Sequence, residues 1–191
     1  PSLCDENKTS QIGPAPDIQE APPLEQISVG LRPSGKFTER ELQQLGYKIT
    51  PEMCAELLLK PVDFYVTAKN AKGKSYKISA TENYPIYYYD YGSWGKLYMP
   101  LGQTRFMYVG QKPENFFFGE KDFITGLEKA RNGIYPGMVQ ADPDDEDSET
   151  VDMTWQDLII CSGPSDALNV KNAGYHVCWL NSETADLNDY E

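Results

Sequence analysis

Between 157 and 180 the chain runs apolar, then helical, then apolar again, and that order leaves few folds open. Asp157-Leu158-Ile159-Ile160-Cys161 is a short, almost wholly apolar strand, 164–173 reads as a helix closed by Gly174, and 175–180 is apolar once more. A β-α-β unit of this kind calls for parallel strands, a right-handed crossover and a sheet covered on its faces. Sites on such sheets are usually built in the loops at the carboxyl ends of the strands. Here that loop is Cys161-Ser162-Gly163-Pro164-Ser165-Asp166.

Upstream the pattern differs. Across 62–110 β-branched and aromatic residues are dense and turn residues recur at short intervals, which reads as an antiparallel meander. Strands at 62–67 and 75–80 flank Asn70-Ala71-Lys72-Gly73, a hairpin signal, and strands at 84–90, 96–101 and 105–109 follow. The run Tyr87-Tyr88-Tyr89-Asp90-Tyr91 offers rings for stacking on bases, but tyrosines alternating across a sheet are more often packing, and we read most of them so. Two short helices precede the strands. Thr38-Glu39-Arg40-Glu41 is a capping box stopped by Gly46, and Thr50-Pro51-Glu52 opens a second helix with Pro in its first position. A modest helix is expected between 120 and 131. Residues 1–36, rich in Gly-Pro and Pro-Pro and sparse in apolar residues, read as a tail or linker.

The 191 residues carry 17 Lys plus Arg and 29 Asp plus Glu, a net charge of -12. Taken whole, that opposes a nucleic-acid partner, because phosphates are held by cations that displace counterions. Split along the chain it does not: residues 1–60 carry 6 basic and 9 acidic residues, 61–138 carry 10 and 7, and 139–191 carry 1 and 13. Much of the acid lies in the run 142–147, continued by Glu149 and Asp152, which lacks the spacing and Gly of an EF-hand and reads as a solvated loop over 139–155. A 40% hydrophobic and 24% charged composition is that of a globular protein, and no run approaches the length of a membrane span. A cytoplasmic location is the default expectation. The widely spaced Cys4, Cys54, Cys161 and Cys178 fit reduced, mostly buried thiols, and Cys4 alone cannot establish a metal site upstream. The single His176 leaves triads and zinc centres little to work with. The chain starts at Pro1 and is read as a piece of a longer protein.

The segment 158–181, LIICSGPSDALNVKNAGYHVCWLN, resembles the opening of a TOPRIM domain, in which an apolar strand runs into E-G-x-x-D-A, a helix closes at A-G and a second strand follows. Residues 84–119 resemble the RNA-polymerase-type subdomain that precedes TOPRIM in bacterial primases and in phage and Twinkle-type primase-helicases. Its matching elements are a Y-P-Y-Y-like strand, W-G-K-L-Y, R-F-M-Y-V-G-x-K-P and F-F-F-G. The resemblance implies an α+β chain: an amino-terminal subdomain over 37–138, of helices plus an antiparallel β-meander, and the first β-α-β of a TOPRIM α/β fold from 156 to 191. It also implies a DNA primase-like nucleotidyltransferase of DNA replication, in a mobile element or prophage, with single-stranded DNA and nucleotides as partners, a helicase domain or partner, and no membrane.

The family's catalytic Glu falls on Ser162, which has neither a pKa near neutrality nor a charge for magnesium. Gly163 and Asp166 keep the family's pattern, and Gly163 suits a tight strand-to-helix turn. The D-x-D that binds Mg²⁺ in the family would lie beyond Glu191, so this chain by itself is expected to make no primer. Lys96, Arg105 and Lys112 are the candidate nucleic-acid contacts. Contact and a merely solvated charge stand about even for Arg105 and Lys112, whereas Lys69, Lys72, Lys74 and Lys77 read as a solvated hairpin tip. Two other readings stay open: a catalytically silent TOPRIM-like module that binds DNA or a helicase, and an unrelated α/β binding domain in which Ser162, Gly163, Pro164 and Asp166 merely cap a helix.

Overall fold

The computed structural model describes residues 16–114, 116–119 and 158–180. They are α+β, with a mostly antiparallel sheet and few helices. The chain divides into two compact units, 1–41 with 58–112, and 42–57 with 113–191.

The first unit is a seven-stranded antiparallel sheet made of β1 (Asp17–Ala21), β2 (Ser28–Leu31), β3 (Leu59–Val66), β4 (Ser75–Ser79), β5 (Ile86–Asp90), β6 (Trp94–Tyr98) and β7 (Phe106–Gly110). Its order is β1-β4-β3-β5-β6-β7, with β2 on the other edge of β3. The expected hairpin forms between β3 and β4. The Asn70 side chain accepts from the backbone N–H groups of Lys72 (2.9 Å) and Lys74 (3.1 Å), the local bonding that makes Asn a turn residue. β4 and β5 then share one edge of β3. Ser79 lies opposite Phe64 and Ile86 opposite Val62, and between them the chain leaves the sheet in a turn closed by Thr81 and Tyr84. The meander continues through β6 and β7.

Side chains alternate across a sheet, so one face of this one collects Val62, Tyr65, Ile78, Ile86, Tyr88 and Leu97, all buried, with Met107 and Val109 packed against them. Fully burying a side chain of this size is worth about 1.5–3 kcal/mol. Gly95 is part of that packing, because a Cβ there would lie 2.2 Å from the Tyr88 ring. Tyr87, Tyr88 and Tyr89 are all buried, as packing residues should be.

The reading of 1–36 as a tail is corrected from residue 17 onward, where β1 and β2 join the sheet. Apolar content failed as a guide because β1 is an exposed edge strand with a single large apolar side chain, Ile18. It is held by its backbone ladder to β4 and by a Glu20–Lys74 ion pair of 3.0 Å. Residues 1–15, including Cys4, the expected helix at 120–131 and the acidic run at 142–152 lie outside the described residues.

Helix α1 (Glu39–Leu45) opens on the expected capping box: the Thr38 hydroxyl accepts from Glu41 N–H at 3.2 Å and the Glu41 carboxylate accepts from Thr38 N–H at 2.7 Å. In the second unit, α2 (Pro51–Glu56) is capped by the Thr50 hydroxyl, which accepts from Met53 N–H at 3.3 Å. The β-α-β unit is present as β9 (Leu158–Cys161), α3 (Pro164–Asn172) and β10 (His176–Leu180), with β9 and β10 parallel and β8 (Phe117–Phe118) antiparallel on the far side of β10. Trp179 and Leu168 are buried in this unit and Trp179 stacks on Phe118 at 3.8 Å. Cys54, Cys161 and Cys178 are free and buried, and burial pushes the Cys54 thiol up to about 12 and the Cys178 thiol up to about 11. His176 is the exposed first residue of the apolar strand β10. No helix among the described residues is long and apolar enough to cross a membrane.

Candidate nucleic-acid interface

Lys96 lies in the middle of β6, Arg105 one residue ahead of β7 and Lys112 two residues after it. The β6–β7 register pairs Lys96 with Tyr108 and Tyr98 with Phe106, and the β5–β6 register pairs Tyr89 with Lys96 and Tyr87 with Tyr98. Strand alternation therefore puts these residues on the face opposite the aliphatic core. Arg105 lies in the turn before β7, closed by Met99 N–H to the Arg105 carbonyl at 2.8 Å, and its guanidinium reaches the same face through its contacts with Tyr98 and Phe106.

There the three cations interleave with three rings. Lys96 Nζ stands 4.1 Å from the Phe106 centroid and 5.7 Å from that of Tyr108. The Arg105 guanidinium lies 5.8 Å from both Tyr98 and Phe106, and its Nη2 donates to Tyr98 Oη at 3.3 Å. Lys112 Nζ is 4.8 Å from Tyr108. Tyr98 and Phe106 stack at 4.8 Å. Cation–π contacts of this kind hold a charge in place for about 0.5–2 kcal/mol without neutralising it. No carboxylate among the described residues pairs with any of the three cations. Burial, and then the charge of Lys112, hold the Lys96 ammonium below the usual lysine value.

Elsewhere in the sheet several cations have acidic partners. Lys60 pairs with Asp90 at 2.7 Å, Lys69 with Glu25 at 2.6 Å and Lys74 with Glu20 at 3.0 Å, so at the β3–β4 hairpin two of the four lysines are spoken for, and Lys77 lies over Phe64 at 4.2 Å. Charge alone points to the three cations of the β6–β7 face but not to Tyr98, Phe106 and Tyr108, which carry them. The signal for the rings is the period-two order of Lys96 with Tyr98 and of Phe106 with Tyr108.

The second set of candidate residues lies in the other unit, between β9 and α3. Gly163 is the N-cap of α3 and Pro164 takes the first helical position, where a missing N–H is harmless. The Ser162 hydroxyl donates to the Asp166 carboxylate, and both residues are exposed. The conformational role expected of Gly163 is corrected. Its φ of -178° is extended backbone open to any residue, and a Cβ there would meet nothing within 4 Å. The backbone of this unit requires a glycine instead at Gly174, which ends α3 at φ +93° with its N–H bonded to the Lys171 carbonyl at 2.9 Å.

Magnesium takes its oxygen ligands from one or two carboxylates, waters and substrate phosphates, and here Ser162 and Asp166 supply a neutral hydroxyl and a single carboxylate. No group of three or more His, Cys, Asp or Glu able to hold a metal occurs among the described residues. The Ser162–Asp166 pair closes a hydrogen-bonded turn at the start of the helix. Comparison of the chain with protein-family models, with curated proteins and with solved structures finds no match in any of the three.

Proposed function

We propose that the chain is part of a primase-like TOPRIM protein of DNA replication, and that the β6–β7 face of its sheet holds single-stranded DNA. The observation that carries this reading is the gathering of Lys96, Arg105 and Lys112 on one face, without acidic partners among the described residues and interleaved with Tyr98, Phe106 and Tyr108. Cations track a phosphate backbone and rings take the faces of unpaired bases, the combination used by proteins that hold single strands. The parallel order β9-α3-β10, with Asp166 in the first turn of the helix, agrees with the TOPRIM half of the reading.

Ser162 favours a second form of the proposal, a catalytically silent module that binds DNA or a helicase. Its hydroxyl is engaged with Asp166, and it brings no negative charge to the position where the resembled family has its Glu. In either form, Ser162 at the resembled family's Glu position argues against primer synthesis by the chain itself. The test is binding of labelled single-stranded DNA at low and moderate salt, by the unaltered protein and by Arg105→Ala. Salt-sensitive binding that weakens on substitution supports the face, and absence of binding at low salt removes it.

A further inference from the structure

Among the rings of the β6–β7 face, Tyr108 is the one presented to solvent. Tyr98 is buried and takes the Arg105 hydrogen bond, Phe106 is half-buried against Tyr98 and beneath Lys96, and Tyr108 is 41% exposed. It stands in mid-strand, so its side chain is projected roughly perpendicular to the sheet. Lys112 and Lys96 lie within 4.8 and 5.7 Å of its ring centre. Tyr108 is an exposed ring with Lys112 and, further off, Lys96 over it and Trp94 6.2 Å away, and no carboxylate among the described residues neutralises the two ammonium groups. A planar group that displaces Lys112 from the ring finds both cations at its edge, which matches a planar group flanked by anions.

We propose that Tyr108 is the platform on which one base of a single-stranded nucleic acid stacks, with Lys96 and Lys112 taking the phosphates beside that base. This rests on the reading of the β6–β7 face as a single-strand surface and adds what that surface reads: the flat face of an unpaired base, independent of its sequence, since every base has one. A duplex does not offer that face, because its bases are stacked on one another. Lysine suits the anions, being a compact point charge. The two ammonium groups share the Tyr108 ring and carry like charge, so an anion placed beside both is favoured by each.

The experiment compares three labelled probes on the full chain at low salt: oligothymidylate, an abasic deoxyribose-phosphate chain of equal length, and a duplex. The expected result is oligothymidylate binding at least about fivefold tighter than the abasic chain, the low end of stacking one base on an aromatic ring. Tyr108→Leu, which keeps bulk but has no π-face, should erase the difference, while Tyr108→Phe and Tyr108→Trp should keep it. Equal binding of the two single-stranded probes by the unaltered protein, or a difference that survives in Tyr108→Leu, overturns the stacking role and leaves the cationic surface standing. Binding of neither single-stranded probe overturns the surface itself, and preference for the duplex overturns the single-strand character of both.

Discussion

The Arg32 guanidinium grips the Glu41 carboxylate with two hydrogen bonds, Nη1 to Oε2 at 2.7 Å and Nη2 to Oε1 at 2.8 Å. Its Nε donates to Asp63 of β3 at 3.0 Å, so one side chain ties the end of β2 to the first turn of α1 and to the centre of the sheet. Glu41 is buried and also accepts from Thr38 N–H, so the capping box and the ion pair share one carboxylate. Burial opposes its ionisation, but the hydrogen bonds from Arg32 and Thr38 prevail and hold the carboxyl below the usual glutamate range.

Removing Glu41 leaves the Arg32 guanidinium with Asp63 and the Lys36 carbonyl, and removing Arg32 leaves the buried Glu41 carboxylate with the Thr38 N–H but no cation. Arg32→Ala or Glu41→Gln is expected to destabilise the first unit by roughly 2–3 kcal/mol, between the value of an exposed pair and that of a fully buried one. The pH dependence follows from the direction of the shift. Glu41 is more acidic folded than unfolded, so its contribution is complete above the unfolded value of about 4.3 and is lost as pH falls through the lower folded value. Urea unfolding between pH 7 and pH 3 checks this: Glu41→Gln should lower stability at pH 7 and flatten the acid limb of the profile.

Arg32 also marks where the sequence is readable and where it is not. The Thr38–Glu41 capping box, the Asn70 turn, the β-α-β order and the Gly174 stop are local, written in residues a few positions apart, and each appears in the structure where its residues predict it. Arg32 lies 31 residues from Asp63, and the edge strand β1 finds β4 across more than 50 residues, so no local pattern announces them. The candidate site divides the same way. Lys96, Arg105 and Lys112 are legible as charges in a β-rich stretch, while their rings become legible only once the register places Tyr108 beside Lys96.

The two glycines of the β9-α3-β10 unit should respond in opposite directions. Gly163→Ser fills open space on extended backbone and supplies the capping oxygen that the helix lacks, so it should be neutral or stabilise by up to about 1 kcal/mol. Gly174→Ala forces a side chain into the left-handed region at φ +93° and should cost about 1–2 kcal/mol. Thermal melts of both variants decide it, and a loss in Gly163→Ser would mean that the turn tolerates no side chain after all.

Ser162 separates the two forms of the functional proposal. The full-length protein should make little or no primer on a single-stranded template with Mg²⁺. Ser162→Glu should change this only where the remaining ligands are intact. Robust synthesis by the unaltered protein refutes the silent form. Ser162→Ala, which removes the hydroxyl that Asp166 accepts from, should lower stability by no more than about 1 kcal/mol and leave single-strand binding unchanged.

Salt dependence measures how many of the three cations meet phosphates. Each phosphate neutralised on a single strand contributes about -0.7 to the slope of log K against log salt, so three contacts give a slope near -2. Arg105→Ala and Lys112→Ala should each lower that magnitude by about 0.7. Lys69→Ala, whose ammonium already pairs with Glu25, should leave it unchanged. Titrations of labelled single-stranded DNA across a salt series read all four slopes. A slope that falls with Lys69→Ala but not with Arg105→Ala would move the contact from the β6–β7 face to the β3–β4 hairpin, reversing the assignment made from the ion pairs.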